Sequence, residues 1–131
     1  MPIRSAILAA LVALSATLGA FTAGAAERQK FDPAAFAAAQ AAGKSILIDI
    51  SAPWCPTCKA QKPIIDELTS APEAKDLVVF DVDFDTGREA LKLLNARSQS
   101  TLIAFKGAKE TARSVGDTKR DSIAALVKSA L

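Results

Sequence analysis

Two hydrophobic periodicities alternate along this chain after residue 26. Short apolar, β-branched runs at 45–50, 77–84 and 101–106 read as buried strands, and 111–115 pairs with the last of them as a hairpin around Gly107. Helical spacing fills the gaps. Asp32 and Pro33 open a first helix, since aspartate caps, proline suits the first helical position and Phe31 can pack on Phe36. Alanines carry that helix to Gly43, a stop. A turn through Ala52 and Pro53 leads into a second helix reaching residue 70, and Pro63 inside it predicts a kink. Residues 86–94 read as a short helix ended by Asn95. Thr118 and Asp121 resemble a capping box for a final helix, on which Ile123, Leu126 and Val127 share one face. The predicted order is α-β-α-β-α-β-β-α. It describes an α/β fold, a mixed four-stranded sheet with helices on both faces.

The first 26 residues stand apart. Arg4 provides a positive start, residues 6–18 are almost wholly apolar, and Ala23, Gly24, Ala25 and Ala26 offer a small-residue cleavage site. The expectation is a signal peptide over 1–26, cut after Ala25 or Ala26, and one domain over 27–131. The other reading of the segment is an uncleaved N-terminal membrane anchor, because residues 5–26 carry no charge and are long enough to span a bilayer. Cleavage would remove Arg4 from the 16 basic residues and leave 15 against 14 acidic ones, a net charge of +1. Near-neutral balance without a basic cluster excludes an electrostatic case for nucleic acid.

Trp54-Cys55-Pro56-Thr57-Cys58 contains both cysteines of the chain. Two intervening residues let both sulfurs sit at the start of one helix, where partial positive charge and free N–H groups lower a thiol pKa. The spacing points to thiol–disulfide exchange. Zinc shares it but takes four ligands, and this chain has no histidine, so carboxylates or a second chain would have to complete the set. A purely structural disulfide closing so short a loop would stabilise the fold little.

The element order and this motif together resemble the thioredoxin family over the whole of 27–131. Trp54 directly precedes the first cysteine, Asp49 lies six residues before it, Pro63 lies eight after it, and Gly116 follows the last strand. In that family these are the positions of the motif tryptophan, a buried acid, a helix-kinking proline and a further glycine. The resemblance implies that Cys55 is the exposed attacking thiolate and Cys58 the resolving thiol. It implies for Asp49 the role of proton acceptor for Cys58, with burial raising its pKa; an acid facing water at a strand edge is the alternative. Substrate would lie along Trp54, Pro56, Thr57 and the loop of Gln99, Ser100 and Thr101. Pro56 and Thr57 tune the potential, and the absence of histidine points to a reductant or a carrier of intermediate potential. Lys59 is either a solvated helix residue or a thiolate partner.

Two positions depart from the family. Ser100 stands where thioredoxins carry a cis-proline; a cis bond before serine costs about 3–4 kcal/mol, so a trans Gln99–Ser100 peptide is expected. The serine hydroxyl can instead reach a cysteine sulfur. Asp81 occupies the place of a lysine near the buried acid, and either faces Asp49 or joins Asp83 and Asp85 in a solvated stripe. The resemblance thus implies a monomeric, periplasmic protein-disulfide oxidoreductase without a bound cofactor. Its partners would be disulfide-containing exported proteins and a thiol protein, in the membrane or free, that donates or accepts electrons. A non-catalytic peptide-binding module or thiol chaperone, and a metal or iron–sulfur site shared across a dimer, are the alternatives.

Overall fold

The computed structural model describes residues 24–131, so most of the predicted signal segment lies outside the described residues. The elements are β1 (Glu27–Lys30), α1 (Pro33–Ala41), β2 (Ser45–Ser51), α2 (Pro56–Ser70), β3 (Leu77–Asp83), α3 (Arg88–Leu93), β4 (Thr101–Lys106), β5 (Lys109–Val115) and α4 (Arg120–Ala130), with a 3-10 turn at Pro72–Ala74. They build a five-stranded sheet in the order β1-β3-β2-β4-β5. β1, β3 and β2 run parallel, and β4 lies antiparallel to both β2 and β5.

Strand β1 extends the four strands expected from the sequence to five. Its residues Glu27, Arg28, Gln29 and Lys30 carry no apolar alternation, because an edge strand exposed on both faces needs none. Parallel pairing with β3 alone makes it a strand.

The pleat sorts the core. Ile46, Ile48 and Ile50 of β2 pack with Phe36, Phe80, Val82 and Phe105 under α1 and α3. Leu47 faces the other way, towards Val79, Leu102, Ile65, Ile123, Leu126 and Val127 under α2 and α4. Asp49 and Asp81 are opposite each other in the β2–β3 register and share the α2 face with Leu47.

Local expectations met varied fates. Asp32 caps α1 by accepting from the Ala35 N–H at 2.7 Å, and Phe31 stacks against Phe36 with ring centroids 5.3 Å apart. Gly43 and Asn95 adopt left-handed φ of 69° and 49° where their helices stop. The capping box at Thr118 does not form: α4 starts at Arg120 with Lys119 as its cap residue and no side-chain cap bond. Asp117 takes over instead, accepting from the Lys119 N–H at 2.9 Å and from the Ser122 hydroxyl. An aspartate accepts from the N–H two residues on more strongly than a serine or threonine hydroxyl does. Among the described residues no helix is long and apolar enough to cross a membrane.

Candidate active site

β2 ends at Ser51 and the chain turns at once into α2, whose first helical residue is Pro56 and whose cap is Cys55. Proline at that position has no N–H to satisfy and is already bent for helix. Cys55 is extended, with φ −81° and ψ 112°, and its sulfur accepts from the Cys58 N–H at 3.1 Å. The sulfur thus does what a serine or aspartate oxygen does at other helix starts, and negative charge on it faces the positive helix end. Cys55 and Cys58 are joined as a disulfide, their Cα atoms 5.3 Å apart.

Cys55 is not the exposed member of the pair. It is 1% accessible and Cys58 8%. Ser100 approaches both sulfurs, its hydroxyl 3.0 Å from Cys55 Sγ and 3.2 Å from Cys58 Sγ, and Ala52 and Phe84 pack against the pair. Ser100 has a left-handed φ of 59°, and no cis peptide occurs among the described residues, so Gln99–Ser100 is trans. The Ser100 carbonyl accepts from the Gly116 N–H at 2.9 Å and from Gln61 Nε2 at 3.3 Å. The rest of the loop divides in two. Gln99 is half-buried at the surface, whereas Thr101 is buried and donates its hydroxyl to the Ser98 carbonyl at 2.6 Å. That bond ties the threonine hydroxyl back into its own loop.

Around the pair, Trp54 is 55% accessible and donates Nε1–H to the Asp85 carboxylate at 2.9 Å, which anchors the ring against the β3–α3 loop. Asp85 and Thr86 are themselves held by Asp83, which accepts both backbone N–H groups. Pro56 is exposed and Thr57 half-buried beside Cys55, while Lys59 is exposed.

The acid lies behind Cys58. Asp49 is buried, and a cleft of about 580 Å³ brings Asp49, Cys58, Lys59, Lys62 and Arg28 to one surface. Asp81 does point to the Asp49 side, but Arg28 stands between them. The guanidinium donates to Asp49 at 2.7 Å and to both Asp81 oxygens at 2.6 and 2.8 Å. Burial pushes the Asp49 pKa up, the Arg28 charge pulls it down, repulsion from Asp81 pushes it up again, and the balance is upward. Arg28 loses by burial but gains more from Asp81 and Asp49, so its own pKa rises.

Two residues of this site escaped the sequence reading. Arg28 arrives from a strand without pattern, and only the three-dimensional register places it over Asp49. Gln61 carried a signal: Cys58, Gln61, Ile65 and Thr69 form the buried stripe of α2, and a glutamine there must find partners. It finds the carbonyls of Ser100 and, at 2.8 Å, Asp117, joining α2 to two loops, while its Oε1 is buried without a partner. Among the described residues no three His, Cys, Asp or Glu side chains gather as a metal cage.

Comparison with known proteins places this geometry. The thioredoxin family model matches residues 27–129. A thioredoxin of Chlamydia trachomatis is 37% identical over 82 residues, covering 63% of this chain and 78% of that protein. A thioredoxin H-type of Brassica campestris is 35% identical over 91 residues, covering 70% and 72%. The crystal structure of Trxlp from Edwardsiella tarda superposes with a TM-score of 0.74 at 38% identity, over 77% of this chain and 98% of that one. Proteins of this kind exchange electrons with thiol or disulfide partners through a cysteine pair spaced like Cys55 and Cys58. With fold, spacing and sequence similarity in agreement, this chain belongs to the thioredoxin family and is a thiol–disulfide oxidoreductase.

Proposed function

We propose that this oxidoreductase works on exported proteins, most naturally in a bacterial periplasm, with residues 1–26 as the export signal. Cys55 attacks: its thiolate bonds to one sulfur of a substrate disulfide and the other leaves as a thiolate. Cys58 then attacks Cys55 Sγ, closes the protein disulfide and releases the second substrate thiolate. Two electrons pass to the substrate, and a dithiol protein returns them. Asp49 takes the Cys58 proton, a role supported by its burial, its raised pKa and the cleft it shares with Cys58. Trp54, Pro56, Thr57 and Gln99 supply accessible surface for an extended substrate. The observation that carries the reading is the cap of α2: a sulfur that accepts the Cys58 N–H is a sulfur prepared to hold negative charge.

Dithiothreitol-driven reduction of insulin should require both cysteines. Cys58→Ser should accumulate covalent complexes with periplasmic proteins, and Cys55→Ser should not; equal trapping by the two variants refutes the assignment of roles. Peptide binding that survives Cys55→Ala without any turnover in the parent protein would favour a docking module, a reading to which the low exposure of Cys55 lends support. N-terminal sequencing of the exported protein should begin at Ala26 or Glu27. A start at Ala26 retains its N–H bond to the Thr69 carbonyl at 2.9 Å.

A further inference from the structure

Ser100 is 3% accessible, and its hydroxyl touches no polar group among the described residues except the two cysteine sulfurs. The hydroxyl has one proton to give. Its two distances, 3.0 Å to Cys55 and 3.2 Å to Cys58, differ so little that rotation about the Cβ–Oγ bond redirects the proton without moving the side chain. Both ends of the residue are held. The left-handed backbone aims Cβ at the sulfurs, and the carbonyl is tied to Gly116 and Gln61. A hydroxyl fixed in this way against two reacting atoms is poor at stabilising a disulfide, whose sulfurs are weak acceptors. It is good at stabilising a thiolate, because a hydrogen bond to an ionised acceptor in a dry site is roughly twice as strong.

We propose that Ser100 is a catalytic residue, donating its hydroxyl proton to whichever of the two sulfurs carries negative charge. In the reduced protein the Cys58 thiol donates to Ser100 Oγ while Ser100 donates to the Cys55 thiolate, a chain that keeps the proton on Cys58 and the charge on Cys55. When Cys55 attacks, its S–S bond to substrate forms, the leaving sulfur takes the electron pair, and the serine proton is free to turn. Once Asp49 has taken the Cys58 proton, Ser100 donates to the Cys58 thiolate. Attack on Cys55 Sγ then closes the disulfide and expels the second substrate thiolate. The hydroxyl proton is never transferred, so atoms and electrons balance as in the unassisted exchange. The assignment rests on the exchange reaction proposed above. It also sets a direction for the redox poise: favouring the dithiol form makes this pair more oxidising than the same site without the hydroxyl.

The test uses Ser100→Ala, which removes the hydroxyl, and Ser100→Gly, which removes it while suiting the left-handed backbone. The Cys55 pKa is read from the pH dependence of iodoacetamide alkylation, and the dithiol–disulfide equilibrium from titration with glutathione. The charged groups that line the cleft on the Cys58 side are unchanged in both variants: Lys59 and Lys62 of α2, Asp49 of β2, Asp81 and Asp83 of β3, Arg28 and Lys30 of β1. Both variants should raise the Cys55 pKa by about one unit and shift the equilibrium about tenfold towards the disulfide, about 30 mV for two electrons. A pKa that moves by less than about 0.3 unit in either variant overturns the proposal. So does a shift in Ser100→Ala that Ser100→Gly reverses, since that effect would belong to the backbone. If the parent protein reduces no insulin, the exchange reading fails separately. The alkylation and glutathione readings on the same samples still decide whether the hydroxyl holds charge on the sulfurs.

Discussion

Replacing Arg28 by leucine isolates the electrostatic support of the buried acid. The variant leaves Asp49, 6% accessible, without its guanidinium partner. Unit charges about 4 Å apart attract by roughly 4 kcal/mol at an effective dielectric of about 20. The Arg28 side chain is 35% exposed, so screening and the cost of desolvating the pair remove about half of that. A coupling of about 2 kcal/mol at pH 7 remains. Its pH dependence has a definite sign. The folded pKa of Asp49 already lies above its ordinary value, chiefly through burial, so the carboxyl's contribution to stability is present below the unfolded pKa and is lost as pH rises through the folded one. Removing Arg28 takes away the main downward influence, lifts the folded pKa further and enlarges the loss at neutral pH. Near pH 4, where Asp49 in the variant is protonated, the cost should shrink to under about 1 kcal/mol. Urea unfolding of the parent, Arg28→Leu, Asp49→Asn and the double variant measures this directly. Asp81 loses Arg28 in both backgrounds, so its share cancels from the coupling. A coupling below about 0.5 kcal/mol at pH 7, or an equal cost at both pH values, refutes the argument.

Three further outcomes are expected. Gln61→Leu removes the donors to the Ser100 and Asp117 carbonyls but also a buried orphan oxygen; urea unfolding should show a loss of about 1 kcal/mol, with insulin reduction falling more than stability explains. Trp54→Ala should leave the urea midpoint nearly unchanged, since the ring is largely accessible, while kcat/KM falls for protein disulfides and holds for a small disulfide. Gly87→Ala would place a Cβ 2.5 Å from the Asp83 carbonyl oxygen, so thermal melting should report a loss of about 1–3 kcal/mol.

The parts of the fold legible in the sequence were those whose residues speak for themselves. Ile46, Leu47, Ile48 and Ile50 announce a strand buried on both faces, and Asp32 with Pro33 announces a helix start. The cysteine spacing announced a helix-end sulfur pair, and the hydroxyl of Ser100 was within reach of it. What stayed hidden depended on partners distant in sequence. Strand β1 exists because β3 offers it an edge, and Arg28 matters because the β1–β3–β2 order stacks it over Asp49 and Asp81. Thr118 matched a local pattern, yet Asp117 won because its carboxylate reaches the Lys119 N–H and Ser122 together. The burial of Cys55 could not be read from helix position either, since its neighbours include Phe84 and Ser100, far along the chain.

The docking of β1 ties the edge of the sheet to the buried acid. The guanidinium that neutralises the interior acid sits two positions beyond Ala26, on a ribbon bonded to the sheet along one side only. A substitution that pries this ribbon loose would therefore strip Asp49 of its guanidinium partner while the cysteine pair itself stayed intact.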